Sequence, residues 1–344
     1  MKFLRTTALA LGAAFALQAG ATTVRYDAKD VGAGAVPVAI NASGEVLAGA
    51  ASAAANFATG PQGVGSFQPC PASAYQCRVV GIDDDGDVAL QFTSAAGKPW
   101  VSALARIDGS KLRYVGDPSA PPAITGLSHA GKLTGDEHGT VFLGRVPGKH
   151  VHDVALPAGY LSASARAVND RRQIVGNLTD DSGSQHMMLA LPDGSPMRDL
   201  GGLASGGSQV CTATAISNNG RIVGYANSSS GEAAHAPLGA SFHAVLARVG
   251  VPGLADLGTL APSQPSSSYA RGVNSAGIVV GASEVDEDVD TAFVLDAADM
   301  VMTDLNTLVD LPAGVRLTNA GAINEAGQIA AAGSDGHVYL LTPR

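Results

Sequence analysis

Ala215-Ile216-Ser217-Asn218-Asn219-Gly220-Arg221-Ile222 reads as the end of one strand, a tight turn and the start of the next. Ser217 opens the turn by bonding its own backbone, and Gly220 supplies the positive φ that closes it. The flanking aliphatic residues alternate with small or polar ones, as in half-buried strands. Six further segments repeat the pattern: 39–46, 81–88, 126–133, 167–174, 272–279 and 322–329. Their third residue is always Asn, Asp or Ser (Asn41, Asp83, Ser128, Asn169, Asn274 and Asn324), and their second and eighth are always branched aliphatics. The sixth is glycine except at Arg172, which is expected to be strained or to sit in a slightly different turn. Along the chain these turn residues are 42, 45, 41, 48, 57 and 50 residues apart, a period that suits one propeller blade or one β-rich repeat. Gly135, Gly176, Gly224 and Gly281 each follow four residues after the turn position and predict a close backbone approach where blades converge.

A second half precedes most motifs and reads as two more strands. It is His243-Ala244-Val245-Leu246-Ala247 with Leu254-Ala255-Asp256-Leu257-Gly258 in one copy, and His186-Met187-Met188-Leu189-Ala190 with Met197-Arg198-Asp199-Leu200-Gly201 in another. A third copy is Thr291-Ala292-Phe293-Val294-Leu295 with Met302-Thr303-Asp304-Leu305. A unit thus holds four strands, the content of a propeller blade. The N-terminal stretch from Val24 to Gly32 resembles the last strand of such a half without its predecessor, and His337-Val338-Tyr339-Leu340-Leu341 resembles a predecessor with nothing after it. Together they make one unit. The predicted fold is therefore all-β: a seven-bladed β-propeller, four strands per blade, closed by pairing strand 337–341 with the N-terminal strands. An open β-array, the alternative, would need a capping repeat at each end.

These residues resemble the HAF extracellular repeat family, through the His-Ala-Val-Leu, Thr-Ala-Phe-Val and His-Met-Met-Leu strands, the run from Asp256 to Leu260 and the turn series, clearest from Gln185 onward. The resemblance implies an exported bacterial protein with a propeller-like fold and implies no reaction.

Lys2 and Arg5, an apolar stretch from Thr7 to Leu17 and the small-x-small site Ala19-Gly20-Ala21 predict a signal peptide over residues 1–21. Residues 22–344 then form a single propeller domain, secreted or periplasmic. No apolar stretch is long enough for a spanning helix. The formal charge of −9 becomes −11 once Lys2 and Arg5 leave with the signal peptide. That sign argues against nucleic acid and against anionic membrane surfaces. Of the three cysteines, Cys70 and Cys77 bracket a short loop-like segment and are the disulfide candidate in an oxidising compartment. Cys211 lies in an alternating strand pattern and reads as a small buried apolar residue.

His186, His243 and His337 share one unit position, so a hydrogen bond that fixes the blade explains them better than a catalytic role. His150 and His152 share one face of a strand and offer two imidazoles to zinc or copper, or else mark a solvated edge. Two acidic runs are calcium candidates: Asp83, Asp85 and Asp87 on a turn, and Asp286, Asp288 and Asp290. The first lacks the distal glutamate of a known calcium loop, and Asp83 already has a turn to make. Nucleophile-elbow and phosphate-loop motifs are missing from the sequence, and one tryptophan, Trp100, offers little platform for glycans. The favoured reading is an exported, monomeric, non-enzymatic propeller that binds an unknown protein or envelope ligand through its loops, Asn227 to Ala240 among them. It carries no cofactor beyond the calcium option. The alternatives are a polysaccharide lyase or hydrolase with a site at the channel mouth, and a structural envelope or matrix component.

Overall fold

The computed structural model describes residues 24–50, 56–116, 121–137, 140–145, 152–203, 209–228, 241–261, 266–286 and 289–344. The predicted signal peptide, His150, Asp288 and most of the 227–240 insertion lie outside the described residues.

Seven antiparallel sheets follow one another along the chain, and all but the last are built in sequence order from the inside outward. Blade one is Val36–Ile40, Val46–Gly49 and Phe57–Ala58, with a single bridge from Ala58 to Phe67 where a fourth strand would lie. Blade two is Gln76–Ile82, Asp87–Thr93, Val101–Arg106 and Arg113–Tyr114; blade three is Ala123–Leu127, Lys132–Glu137, Thr140–Arg145 and His152–Val154. Blade four runs Tyr160–Val168, Ile174–Asp180, Gln185–Ala190 and Arg198–Gly201; blade five runs Cys211–Ile216, Arg221–Asn227, Phe242–Arg248 and Val251–Asp256. Blade six is Ser268–Val273, Ile278–Asp286, Val289–Asp296 and Val301–Asp304. Blade seven is Leu317–Ile323, Ile329–Gly333 and His337–Pro343, and its outermost strand is Tyr26–Ala33 from the other end of the chain. The ring closes as the half-units at the two ends predict. No described helix is long and apolar enough to cross a membrane.

Apolar packing lies between blades rather than at one centre. Seven buried clusters each join two neighbouring sheets; Val46, Phe57, Ala330 and Leu340 seal blade one against blade seven. The smallest described cluster joins blades two and three around Leu104, Ile124, Leu133 and Phe142.

The motif turns also stitch blade to blade. Asn41 Oδ1 accepts the N–H groups of Ser43 and Glu45 within its own turn, while Asn41 Nδ2 donates 3.0 Å across to the Asp83 carbonyl of blade two. Asn169 donates likewise to Ser217 O (3.0 Å), Asn274 to Asn324 O (3.2 Å) and Asn324 to Asn41 O (2.9 Å), the last across the ring closure. Where the third residue is Asp or Ser, no such amide exists. The fourth residues make a second set of links: Ala42 N–H donates to Asp84 Oδ1, Asp170 N–H to Asn218 Oδ1 and Ser275 N–H to Glu325 Oε2.

Arg172 keeps the turn its sequence departs from. Its φ of 65° matches the glycines at the equivalent position, so the strain is real and the turn unchanged. The four glycines at the repeated position make the expected close backbone approach, but not where blades converge. They do not face a neighbouring blade; a Cβ on Gly176 would lie 1.9 Å from Ser164 O in the innermost strand of the same blade.

Candidate functional site

The cause of that approach is a β-bulge, and the innermost strand of every blade has one. Register slips by one residue between Pro37 and Ala39, Val79 and Gly81, Ala165 and Ala167, Ala213 and Ala215, Ala270 and Gly272, and Ala320 and Ala322, and between Ile124 and Gly126. A bulge leaves one residue outside the ladder and re-aims its side chain. The extra residues are Val38, Val80, Thr125, Arg166, Thr214, Arg271 and Gly321, and all seven line one central cavity of about 190 Å³. None of them was singled out by the sequence patterns; their one trace was the glycines that face the bulges.

The ring is asymmetric. Arg166 and Arg271 come from blades four and six, with Thr214 between them, and both are exposed. Gly321, Val38 and Val80, from blades seven, one and two, make the facing wall small and apolar. Thr125 Oγ1 is buried and meets no hydrogen-bond partner among the described residues. Thr214 Oγ1, in contrast, donates to Ala270 O at 2.7 Å. Arg271 lies 5.4 Å over the Tyr269 ring. Asp136 of blade three fixes the Arg166 bulge by accepting Ala165 N–H (2.8 Å) and Ser164 Oγ–H (2.9 Å). Burial raises the Asp136 carboxyl above its ordinary range, against those two hydrogen bonds and the charge of Arg166. A second hollow shares Val80, Thr125 and Arg166 with the channel and adds Arg78, whose Nε donates to Gln91 Oε1 at 2.6 Å. At the turn end the channel is bordered by His129, Asp170, Asn218 and Glu325, three of which already accept backbone N–H groups of the preceding blade.

The residues that sequence patterns brought forward are spent elsewhere. His186 Nδ1 lies 3.1 Å from Asp199, His243 Nδ1 2.9 Å from Asp256 and His337 Nδ1 2.8 Å from Asp30. Each of these aspartates also accepts the N–H of the glycine two residues on, Gly201, Gly258 or Gly32. The three pairs tie the third strand of a blade to its fourth, including across the closure. Burial disfavours the Asp256 carboxylate, but the hydrogen bonds from His243 and Gly258 outweigh it and leave its pKa lowered.

Asp83 is 2 % exposed and accepts the N–H groups of Asp85 and Asp87. Burial pushes its carboxyl up to about 6. Asp87 is held by Arg113 at 2.9 Å and Arg106 at 3.5 Å, and Asp85 points to solvent. The three carboxylates therefore face different partners. Asp286 and Asp290 flank an outer hairpin of blade six and are exposed. His152 stands on the outermost strand of blade three, opposite Leu143. Cys70 and Cys77 form a disulfide, Cα atoms 6.1 Å apart. Cys211 is free and buried, its thiol pushed up to about 12 by burial.

No known protein-family profile and no curated protein matches the sequence. Solved structures match by shape. They include a YCF48 structure bound to a D1 peptide (9 % identity, 92 % of this chain and 97 % of that one, TM-score 0.54). A chain of a mitotic checkpoint complex matches at 10 % identity over 99 % of both chains, with TM-score 0.54. A putative TolB from Agrobacterium tumefaciens covers 64 % of this chain and 79 % of its own, at 14 % identity and TM-score 0.47. At such identities the likeness is one of fold, and that fold is the seven-bladed β-propeller.

Proposed function

We propose that this chain is an exported, non-enzymatic binding propeller whose partner, a protein or an envelope ligand, engages the central channel. One observation carries the reading: titratable groups that would suggest chemistry are used to hold the scaffold, whereas the bulged residues lining the channel are of four kinds, Val, Thr, Arg and Gly, set unevenly around the ring. Repetition marks what the fold needs, and departure from it marks what is free to recognise something. The export half rests on the signal-peptide pattern and the resemblance to HAF extracellular repeats. Peptide binding by a propeller of similar shape, as the YCF48 structure records, is in keeping with such a role.

The test is a melting panel on residues 22–344 with calcium, zinc, a chelator, envelope oligosaccharides and peptides, followed by mass analysis of each compound. A ligand that binds the native state raises the midpoint by mass action. A compound that raises the midpoint and is recovered unchanged supports a binding protein. One that is cleaved, or eliminated across a glycosidic bond, makes the chain an enzyme and overturns the reading.

A further inference from the structure

Within that binding reading, we infer that the channel is an oxyanion site that takes a carboxylate between Arg166 and Arg271. Both arginines are the bulged residues of their strands and line one cavity, and neither makes an ion pair among the described residues. With one blade between them in a ring of seven, they line the cavity from different sides. Guanidinium binds oxyanions through paired N–H donors, and a desolvated carboxylate satisfies several of them at once.

The surroundings favour this ligand over a cation. Asp136, beside Arg166, has its oxygens engaged by Ala165 and Ser164. Asp290 lies within the field of Arg271, and Glu284 beside it accepts Ser267 N–H at 2.7 Å. Thr125 Oγ1 supplies a further hydroxyl without a partner next to Arg166. A singly charged carboxylate fits better than a phosphate dianion, because acidic side chains border the turn end of the channel and the chain as a whole carries −9. The small apolar wall of Gly321, Val38 and Val80 leaves room for a short aliphatic stem. A cavity of about 190 Å³ holds one side chain or one small acid, not a folded ligand.

The experiment follows the arginine Nε–Hε resonances of the folded chain, labelled with ¹⁵N, during titration. The probes are isobutyrate, its neutral isostere isobutyramide, inorganic phosphate, and an acetylated, amidated Ala-Glu-Ala peptide with its Gln counterpart. Isobutyrate and the Glu peptide are expected to shift the Arg166 and Arg271 signals, and the two amides are not. Arg166→Gln and Arg271→Gln should each weaken the carboxylate by about tenfold, the loss expected for one charge-assisted contact. Both side chains are exposed, so melting points should hold. Tighter binding of the peptide assigns the carboxylate to a protein partner, and tighter binding of isobutyrate to a free acid. Equal shifts with the amides, stronger binding of phosphate, or no shift with either carboxylate overturns the inference. If neither carboxylate shifts those signals while another compound of the melting panel still raises the midpoint, the carboxylate site fails and the binding function stands.

Discussion

Asp83→Asn should make the protein more stable at neutral pH and leave it nearly unchanged in acid. Asp83 holds the place that asparagine holds in four of the seven turns. There the side-chain oxygen accepts one or two N–H groups of its own turn and the amide donates to the next blade. The Asp83 oxygen does the first job, but an ionised carboxylate has no hydrogen for the second, where the acceptor would be the Ser128 carbonyl. Burial raises its pKa from 3.8 to about 6. Between those values the folded chain binds more protons than the unfolded one, so the Asp83 contribution falls as pH rises through this window and is fully lost above about 6. Two pKa units correspond to about 3 kcal/mol, an upper bound, and a neutral hydrogen bond gained adds about 1 kcal/mol. Unfolding free energies of Asp83→Asn and the parent from urea curves at pH 3 and 7.5 would therefore differ by about 2–3 kcal/mol at the higher pH and by less than about 1 kcal/mol at the lower. Equal differences at both values, or a variant less stable at pH 7.5, would falsify the account of Asp83 as an asparagine position occupied by an acid.

Arg172→Gly should stabilise the fold by about 1 kcal/mol in urea titration, because the residue already sits at a φ of 65° where a side chain is disfavoured. Reduction of Cys70–Cys77 closes no new contact but frees a loop with a sequence separation of 7, and should lower stability by about 2 kcal/mol, measured with and without reductant. His243→Ala leaves Asp256 without its imidazole partner and should cost about 1 kcal/mol at pH 7. The lowered Asp256 pKa means that this loss fades as pH falls through the carboxylate range, which paired urea curves at pH 3 and pH 7 would show.

The blade count and the closure were legible because each rests on a residue that must be what it is. A turn needs Asn41 or Asn324 and a residue able to take positive φ; a missing strand at one end is answered by a surplus strand at the other. The His–Asp pairing was half legible: repetition of His186, His243 and His337 pointed to structure, although their partners lie thirteen residues away in two copies and across the ring in the third. The channel was not legible. A bulge residue has no mate in the ladder, so Val38, Thr125, Arg166 and Gly321 can occupy one position without leaving a common chemical signature. Glycine opposite them reports that something comes near and not what it is. The acidic run at 83–87 misleads for a related reason: sequence shows three neighbouring charges, and the fold sends one to its turn, one to solvent and one to two arginines.

The closing pair of strands also sets how the molecule responds to load. Tyr26 lies opposite Pro343 and Ala33 opposite His337, so the two chain ends leave the ring side by side. Tension drawn through Arg25 and Arg344 would peel these strands apart one rung at a time instead of sliding them past each other. The force needed is then that of a single rung, whatever the equilibrium stability of the ring. A propeller tethered at both ends would open at this clasp first, baring Tyr26 at the seam with blade six and then Val31 and Leu340 at the seam with blade one.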